Sequence, residues 1–342
     1  MKSKALVLKR KGKSNQAFEL QDIELPAIKQ DEVLIESESF GLNYADVMAR
    51  NGLYKEAPPM PCVIGYEAVG VIVDVGSQVD QKMIGQRVLA FCRFGGYGRH
   101  IITKSEATHV INKLPSQEVL ALCTQGVTAY YMTDVLSPIK KGDKVLVHAA
   151  AGGVGSILIQ LAKRRGASVI AKVGTREKEE LVRQLGADRV INYRDKNYEQ
   201  EVRSFLNGGA LDISFNAVGG ATFKNDMKLI GAGGRLFIFG GAALSGGKFG
   251  ILSSLNFLRK MGLIIPAGLM MSSKSILGVN MLKIADHRPE VMKESLKWLI
   301  DAYQKGDIHV CVGGVFTTDQ IAEAHELLEG GRSKGKISVN WV

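Results

Sequence analysis

Six consecutive residues, Ala150-Ala151-Gly152-Gly153-Val154-Gly155, have side chains small enough to bring backbone against a phosphate. N–H groups at the start of a following helix would point at the anion, and the helix dipole favours negative charge there. Gly152 opens the approach, and Gly155 lets the helix pack closely on the preceding strand. Ala150 stands where a first glycine is usual, so the run gains its specificity from its surroundings. An apolar, β-branched run from Lys144 to Ala149 precedes it. Ser156 to Arg165 then repeats Ile157, Leu158, Leu161 and Ala162 at helical spacing, Gly166 ends that pattern, and Ser168 to Val173 reads as a second strand. Together these make a βαβ unit with a dinucleotide-binding turn. An ordinary tight turn in an α/β sheet is the alternative, and it does not account for all the elements at once.

The tip of the second strand selects the nucleotide. Units that take NAD place Asp or Glu about 20 residues after the glycines, to hold the ribose 2′-hydroxyl. Here Gly174 is followed by Thr175, Arg176 and Lys178, a hydroxyl and two cations with no carboxylate at the tip. Such a set suits a 2′-phosphate. Tyr193, after a third strand at Arg189 to Asn192, adds a hydroxyl. NADPH is therefore the expected cofactor, although Glu177, Glu179 and Glu180 also fit a solvated helix start.

These residues must be held by a larger frame. The chain has 342 residues and a 46% apolar fraction, enough for two domains with substantial cores. Residues 1 to about 120 read as short strands between glycine turns, among them Ala5 to Leu8, Glu32 to Ser37, Val69 to Val75 and His100 to Thr103, which suggests a partly open barrel. Asn43 to Asn51 reads as a short helix, in which Asn43 is a candidate cap and Asp46 and Arg50 a helical ion pair. Further strands at Asp212 to Asn216, Arg235 to Phe239 and Ser275 to Met281 extend a parallel sheet. The expected division is 1–122, 123–274 and 275–342, the last returning to the first domain.

The formal charge is +10, with basic residues crowded near the N-terminus, which fits a solvated first hairpin better than nucleic acid. Four cysteines lack C-x-x-C spacing, so neither a structural zinc nor a disulfide framework is expected. Without the apolar core of a signal peptide, the cytoplasm is the expected compartment. The longest apolar run, Met261 to Met271, is broken by Pro266 and is too short to span a bilayer.

Over almost its whole length the sequence resembles the zinc-free quinone oxidoreductase division of the medium-chain dehydrogenase/reductases, and most closely its vesicle amine transport protein-like branch. The likeness rests on Gly41-Leu42-Asn43-Tyr44-Ala45-Asp46, Arg50-Asn51-Gly52-Leu53-Tyr54, Gly65-Tyr66-Glu67-Ala68-Val69-Gly70, the Ala150 to Gly155 turn and Gly278-Val279-Asn280. It implies a GroES-like β-barrel catalytic domain and a Rossmann domain. Zinc-dependent relatives place metal ligands where this chain has Asn43, Tyr66 and Gln125, which are poor Zn²⁺ ligands.

Without a metal, hydride transfer needs an acceptor that is already electrophilic, such as a quinone or an α,β-unsaturated carbonyl. The resemblance implies Tyr54 and Asn43 as donors in the nicotinamide cleft. It implies Thr128 beside the nicotinamide, and Asn216 with Val218-Gly219 near the ribose. Phe239-Gly240-Gly241 would lie along the pyrophosphate and nicotinamide, Val279-Asn280 at the carboxamide, and Arg332 or Lys334 near the 2′-phosphate. It also implies a homodimer, with the strand near Gly231 to Gly240 at its edge. The apolar stretch Gly246 to Lys274 suits a substrate wall or a packing surface better than a membrane contact. A nucleotide-bound, lipid- or membrane-associated protein with little catalysis is the competing expectation.

Overall fold

The structure, a computed structural model, describes residues 1–194, 197–244, 256–257 and 259–342. Part of the expected apolar wall, residues 246–255 and 258, lies outside the described residues. The chain begins with β1 (Lys2–Leu8), α1 (Ser14–Ala17), β2 (Phe18–Glu24), β3 (Glu32–Leu42), α2 (Tyr44–Arg50), β4 (Glu67–Val75), β5 (Arg87–Phe91), β6 (His100–Lys104), β7 (Thr108–Val110) and α3 (Ser116–Ala121). After α4 (Val127–Tyr130) come β8 (Lys144–Val147), α5 (Gly153–Arg164), β9 (Ser168–Val173), α6 (Arg176–Gln184), β10 (Arg189–Asn192), α7 (Tyr198–Leu206), β11 (Leu211–Asn216), α8 (Ala221–Leu229), β12 (Ile230–Ile238), α9 (Pro266–Ser272) and β13 (Ser275–Gly278). The chain ends with α10 (Met281–His287), α11 (Pro289–Gln304), β14 (Val312–Thr317), α12 (Ile321–Glu329) and β15 (Lys336–Asn340).

Two compact units result, 1–127 with 281–342, and 128–280. The chain therefore returns to the first unit after Asn280 rather than after residue 274, because β13 pairs with β12 and belongs to the second sheet.

The first unit is built on a seven-stranded sheet, ordered β14-β15-β3-β4-β5-β7, with β6 also paired to β3. The β1–β2 hairpin stands apart as a two-stranded sheet, and β2 is a strand that the sequence pattern did not reveal. Its residues are mostly half-exposed and its polar alternation carries little signal. Leu6, Leu8, Phe40, Leu42, Ile64, Tyr97 and Ile337 pack as one buried cluster. β15 runs antiparallel to β3, Ile337 opposite Leu42, so the last strand lies against one that starts 304 positions earlier.

The second unit is a six-stranded sheet, ordered β10-β9-β8-β11-β12-β13, in which each neighbouring pair runs parallel. This is the doubly wound order in which ligands gather at the carboxyl ends of the strands. Leu146, Ile170, Ile191, Leu211, Phe223 and Leu236 form its buried core. The strand expected at the dimer edge, Gly231 to Gly240, is instead internal: β12 is covered by β11 and β13, and β13 is the edge.

Candidate active site

The glycine turn is built as its sequence requires. Gly152 caps α5 with extended backbone, and its N–H donates to Ala149 O at 2.9 Å. Ala149 adopts a left-handed conformation (φ 49°), which turns the chain sharply off β8. A Cβ on Gly155 would sit 2.5 Å from Ala149 O, so α5 meets the turn at a distance only glycine permits. Ala151 and Gly153 are buried and Val154 is half-buried.

The tip of β9 carries the other expected cradle. Gly174 and Lys178 are buried, Thr175 precedes α6 as its capping residue, and Arg176 is exposed. Tyr193 is 49% exposed, and a Cβ on Gly174 would lie 2.5 Å from its hydroxyl. The missing side chain at 174 thus makes room for the phenol at the strand tip. That set fits a 2′-phosphate.

Asn216 ends β11 with no exposure. Its Oδ1 accepts from the backbone N–H groups of Val218 (2.9 Å) and Gly219 (2.8 Å), which shapes the following turn. A Cβ on Gly240 would lie 2.6 Å from Ala217 O, so the turns after β11 and β12 touch through backbone. Phe239 and Gly241 are half-buried beside it, and the Val279 N–H donates to Ile238 O, which places Val279 and the exposed Asn280 just beyond β13. Thr128 is buried in α4.

In the first unit one expected donor, Asn43, belongs to an ionic cluster that sequence reasoning did not identify. Glu67 and Lys336 are fully buried and form an ion pair. Glu67 Oε1 accepts from Asn43 Nδ2 at 2.9 Å, and Oε2 accepts from the Thr124 backbone N–H at 2.7 Å. Lys336 Nζ donates to Leu42 O (3.1 Å) and Asn43 Oδ1 (3.2 Å). A Cβ on Gly41 would lie 2.4 Å from both Glu67 Oε1 and Lys336 Cε, so glycine at 41 leaves the space in which the pair meets. The Lys336 ammonium holds the Glu67 carboxyl below the usual carboxylate range, despite the cost of burying it. A weak signal for the pair exists in the sequence: Glu67 and Lys336 are charges at the head of strands rich in β-branched residues.

Asn43 caps α2 in a capping box with Asp46, as expected, and its amide also meets the Glu67–Lys336 pair. The return contact of the box comes from Asp46, whose Oδ2 accepts the Asn43 N–H at 2.7 Å. Arg50 does not pair with Asp46; it reaches Glu329 on α12. The helical spacing is right, but buried Asp46 is claimed by the helix start and buried Arg50 by the returning chain.

Tyr54 is half-buried, at 6.4 Å and edge-on to Tyr66. Burial, with Glu56 and Asp46 nearby, pushes the Tyr54 phenol up to about 12, so it stays a proton-bearing donor at neutral pH. Tyr66 is 4% exposed, and its hydroxyl lies close to the Tyr54 phenol. Gln125 Nε2 donates weakly to Leu42 O at 3.4 Å. A zinc ion does not fit Asn43, Tyr66 and Gln125: the first is bracketed by Glu67 and by a buried ammonium that would repel a dication.

Residues 29–134 match the family model described as alcohol dehydrogenase GroES-like domain, and residues 153–301 the one described as zinc-binding dehydrogenase. A zebrafish synaptic vesicle membrane protein VAT-1 homolog is 29% identical over 314 residues, covering 91% of this chain; the match spans 64% of that protein's length. A probable quinone oxidoreductase of Schizosaccharomyces pombe is 29% identical over 316 residues, covering 92% of this chain and 90% of that one. The mycobacterial Rv1454c structure, complexed with NADPH, superimposes with a TM-score of 0.86 at 28% identity, covering 98% of this chain and 99% of that one.

Two outcomes follow from the buried cluster. Lys336→Met strands the Glu67 carboxylate and should cost about 3–5 kcal/mol in urea unfolding, while adding Glu67→Gln recovers most of the loss. No recovery would show that the residues pack independently.

Asp46 provides the second. Burial raises its carboxyl to about 7 in the folded chain. Unfolding returns it to the ordinary carboxylate range, so the folded state holds the extra proton between about pH 4 and 7, and stability falls as pH rises through that window. Asp46→Asn removes this loss. Its stability relative to wild type should grow by about 2–4 kcal/mol between pH 4 and 7 and then level off. A difference independent of pH would contradict the assignment.

Proposed function

The chain belongs to the medium-chain dehydrogenase/reductases of the quinone oxidoreductase type, related to the VAT-1 proteins, and from that premise we propose that it reduces quinones or α,β-unsaturated carbonyls with NADPH and without zinc. The observation that carries the reading is the Lys336 ammonium against Asn43 and Glu67, a cation where a metal-dependent relative needs ligands. With no metal to polarise the substrate, the acceptor must supply its own electrophilicity.

NADPH supplies a hydride from nicotinamide C4 when bound. The Ala151 to Gly155 turn fits its pyrophosphate. Gly174, Thr175, Arg176, Lys178 and Tyr193 fit its 2′-phosphate, and the absence of a carboxylate at the β9 tip favours it over NADH. Asn216 holds the Val218-Gly219 turn in one shape for the ribose. Thr128, Phe239, Gly240, Gly241, Val279 and Asn280 complete the cofactor assignment on family likeness.

Reduction of a quinone or enone places negative charge on the substrate oxygen. Tyr54 is the donor we assign to that oxygen, because its phenol keeps its proton throughout the neutral range. Asn43 is a supporting group: its amide is engaged by Glu67 and Lys336, which fixes its orientation.

We further propose a homodimer through β13. Its outer edge lacks a strand partner among the described residues, and Leu263 (90%), Ile265 (62%), Met270 (76%) and Met271 (84%) stand exposed in the preceding segment of the same unit. A second copy covers both the open edge and the apolar residues. No helix of the described residues is long and apolar enough to cross a membrane.

The purified protein should oxidise NADPH with at least one member of a panel of ortho-quinones, para-quinones and enals, at a rate unchanged by a zinc chelator. Tyr54→Phe should lower kcat by about 10²-fold with little change in NADPH affinity. Failure on every acceptor, or activity that tracks added zinc, would overturn the reading. In sedimentation equilibrium the wild type should weigh as a dimer and Met271→Glu should shift it toward monomer; a monomeric wild type would remove the interface.

A further inference from the structure

One buried cation in the second unit lies outside the assignments above. Lys172, the penultimate residue of β9, is 7% exposed inside an otherwise apolar strand. Its Nζ lies 3.4 Å from His148 Nδ1, 3.7 Å from the Tyr198 ring centroid and 5.3 Å from the Tyr193 ring centroid. Accepting from an ammonium leaves His148 neutral with its proton on Nε2, which faces Asp226 at 2.9 Å. Burial and the Lys172 charge both hold His148 below its ordinary range.

Lys172 is the cation that offsets buried Asp226, whose other partners are neutral donors. That carboxylate accepts from Ser214 Oγ (2.8 Å), Asn216 Nδ2 (2.7 Å) and Tyr198 OH (3.1 Å) as well as from His148. Lys172 touches the network through the imidazole, and its charge is also attracted directly to Asp226. Burial lowers the lysine to about 8, a cost that a surface position would avoid. What further distinguishes the position is its second aromatic neighbour. The ring of Tyr193, 49% exposed and 5.3 Å from the ammonium, carries the hydroxyl beside Gly174 at the strand tip.

We propose that Lys172 is a positioning and specificity residue for the cofactor 2′-phosphate, acting through Tyr193. A cation within about 6 Å of the ring face is attracted to it and holds the phenol in place. It also withdraws electron density, which sharpens the O–H as a donor to a phosphate oxygen, and adds positive potential beneath the cradle. Asp226, tied through His148 to the same lysine and through Asn216 to the Val218-Gly219 turn, links the phosphate side of the sheet edge to the ribose side. This inference rests on NADPH being the cofactor.

The test is calorimetric titration of the full-length protein with 2′,5′-ADP, 5′-AMP, NADPH and NADH, which needs no catalysis. Lys172→Met should weaken 2′,5′-ADP and NADPH by about tenfold and change 5′-AMP and NADH by less than about twofold. Lys172→Arg, which keeps the charge, should restore most of the preference. Tyr193→Phe should cost less in the Lys172→Met background than in wild type, because both act at one hydroxyl. Equal weakening of all four ligands would reduce Lys172 to a scaffold role, and an undiminished preference for 2′,5′-ADP would also overturn the proposal. A wild type that binds 5′-AMP as tightly as 2′,5′-ADP would defeat the NADPH assignment itself. If Lys172→Met does not fold, the Tyr193→Phe and Lys172→Arg titrations decide: loss of 2′-phosphate preference in the first and its retention in the second are required.

Discussion

The buried Glu67–Lys336 ion pair is the constraint on which the first unit depends. Its partners are 269 positions apart, and each stands on a strand of one sheet, so the pair ties the opening segments to the returning end of the chain. Two desolvated charges are tolerated only when their remaining hydrogen-bonding capacity is filled. The Thr124 N–H, the Asn43 amide and the Leu42 carbonyl do this, and Gly41 supplies the room. The sequence around α2 follows from that requirement. Asn43 both caps α2 and faces the pair, Asp46 completes the capping box, and Arg50 is left to bind Glu329 on α12. Ser14 to Glu326 and Tyr97 to His325 add further bonds between the opening segments and the same helix.

The second unit solves a similar problem with a different network. Asp226, buried behind the carboxyl edge of the parallel sheet, collects donors from β8, β11 and the start of α7. Asn216 gives one end of its amide to that carboxylate and the other to the turn after β11. A loop of small residues has little side-chain packing to hold it. Its shape is instead held by hydrogen bonds from a rigid strand end, which suits a surface that must meet a ligand through backbone.

Both networks bear on the kind of chemistry open to the chain. An ammonium beside Asn43 is a poor neighbour for a dication, and the Tyr54 phenol keeps its proton at neutral pH. The oxidoreductase family of the chain is consistent with such a division of labour, in which the nucleotide carries the reducing equivalents and the protein provides orientation and electrostatics.

The sequence by itself determines the βαβ unit, the small-residue turn from Ala150 to Gly155, the missing carboxylate at the β9 tip and most strands of both sheets. These are local: periodicity, turn chemistry and one strand–loop junction suffice to read them. It also holds Tyr193 and Gly174 as separate candidates, but only folding brings the hydroxyl to the glycine. Strand β2, with its weak alternation, the edge position of β13, and the choice of Glu329 over Asp46 by Arg50 are decided by tertiary structure. So are the meetings of Glu67 with Lys336 and of Lys172 with His148. A charge in a strand rich in β-branched residues announces that it needs partners. Which partners it finds depends on strand order and chain return, contacts between distant residues whose identity no local pattern encodes.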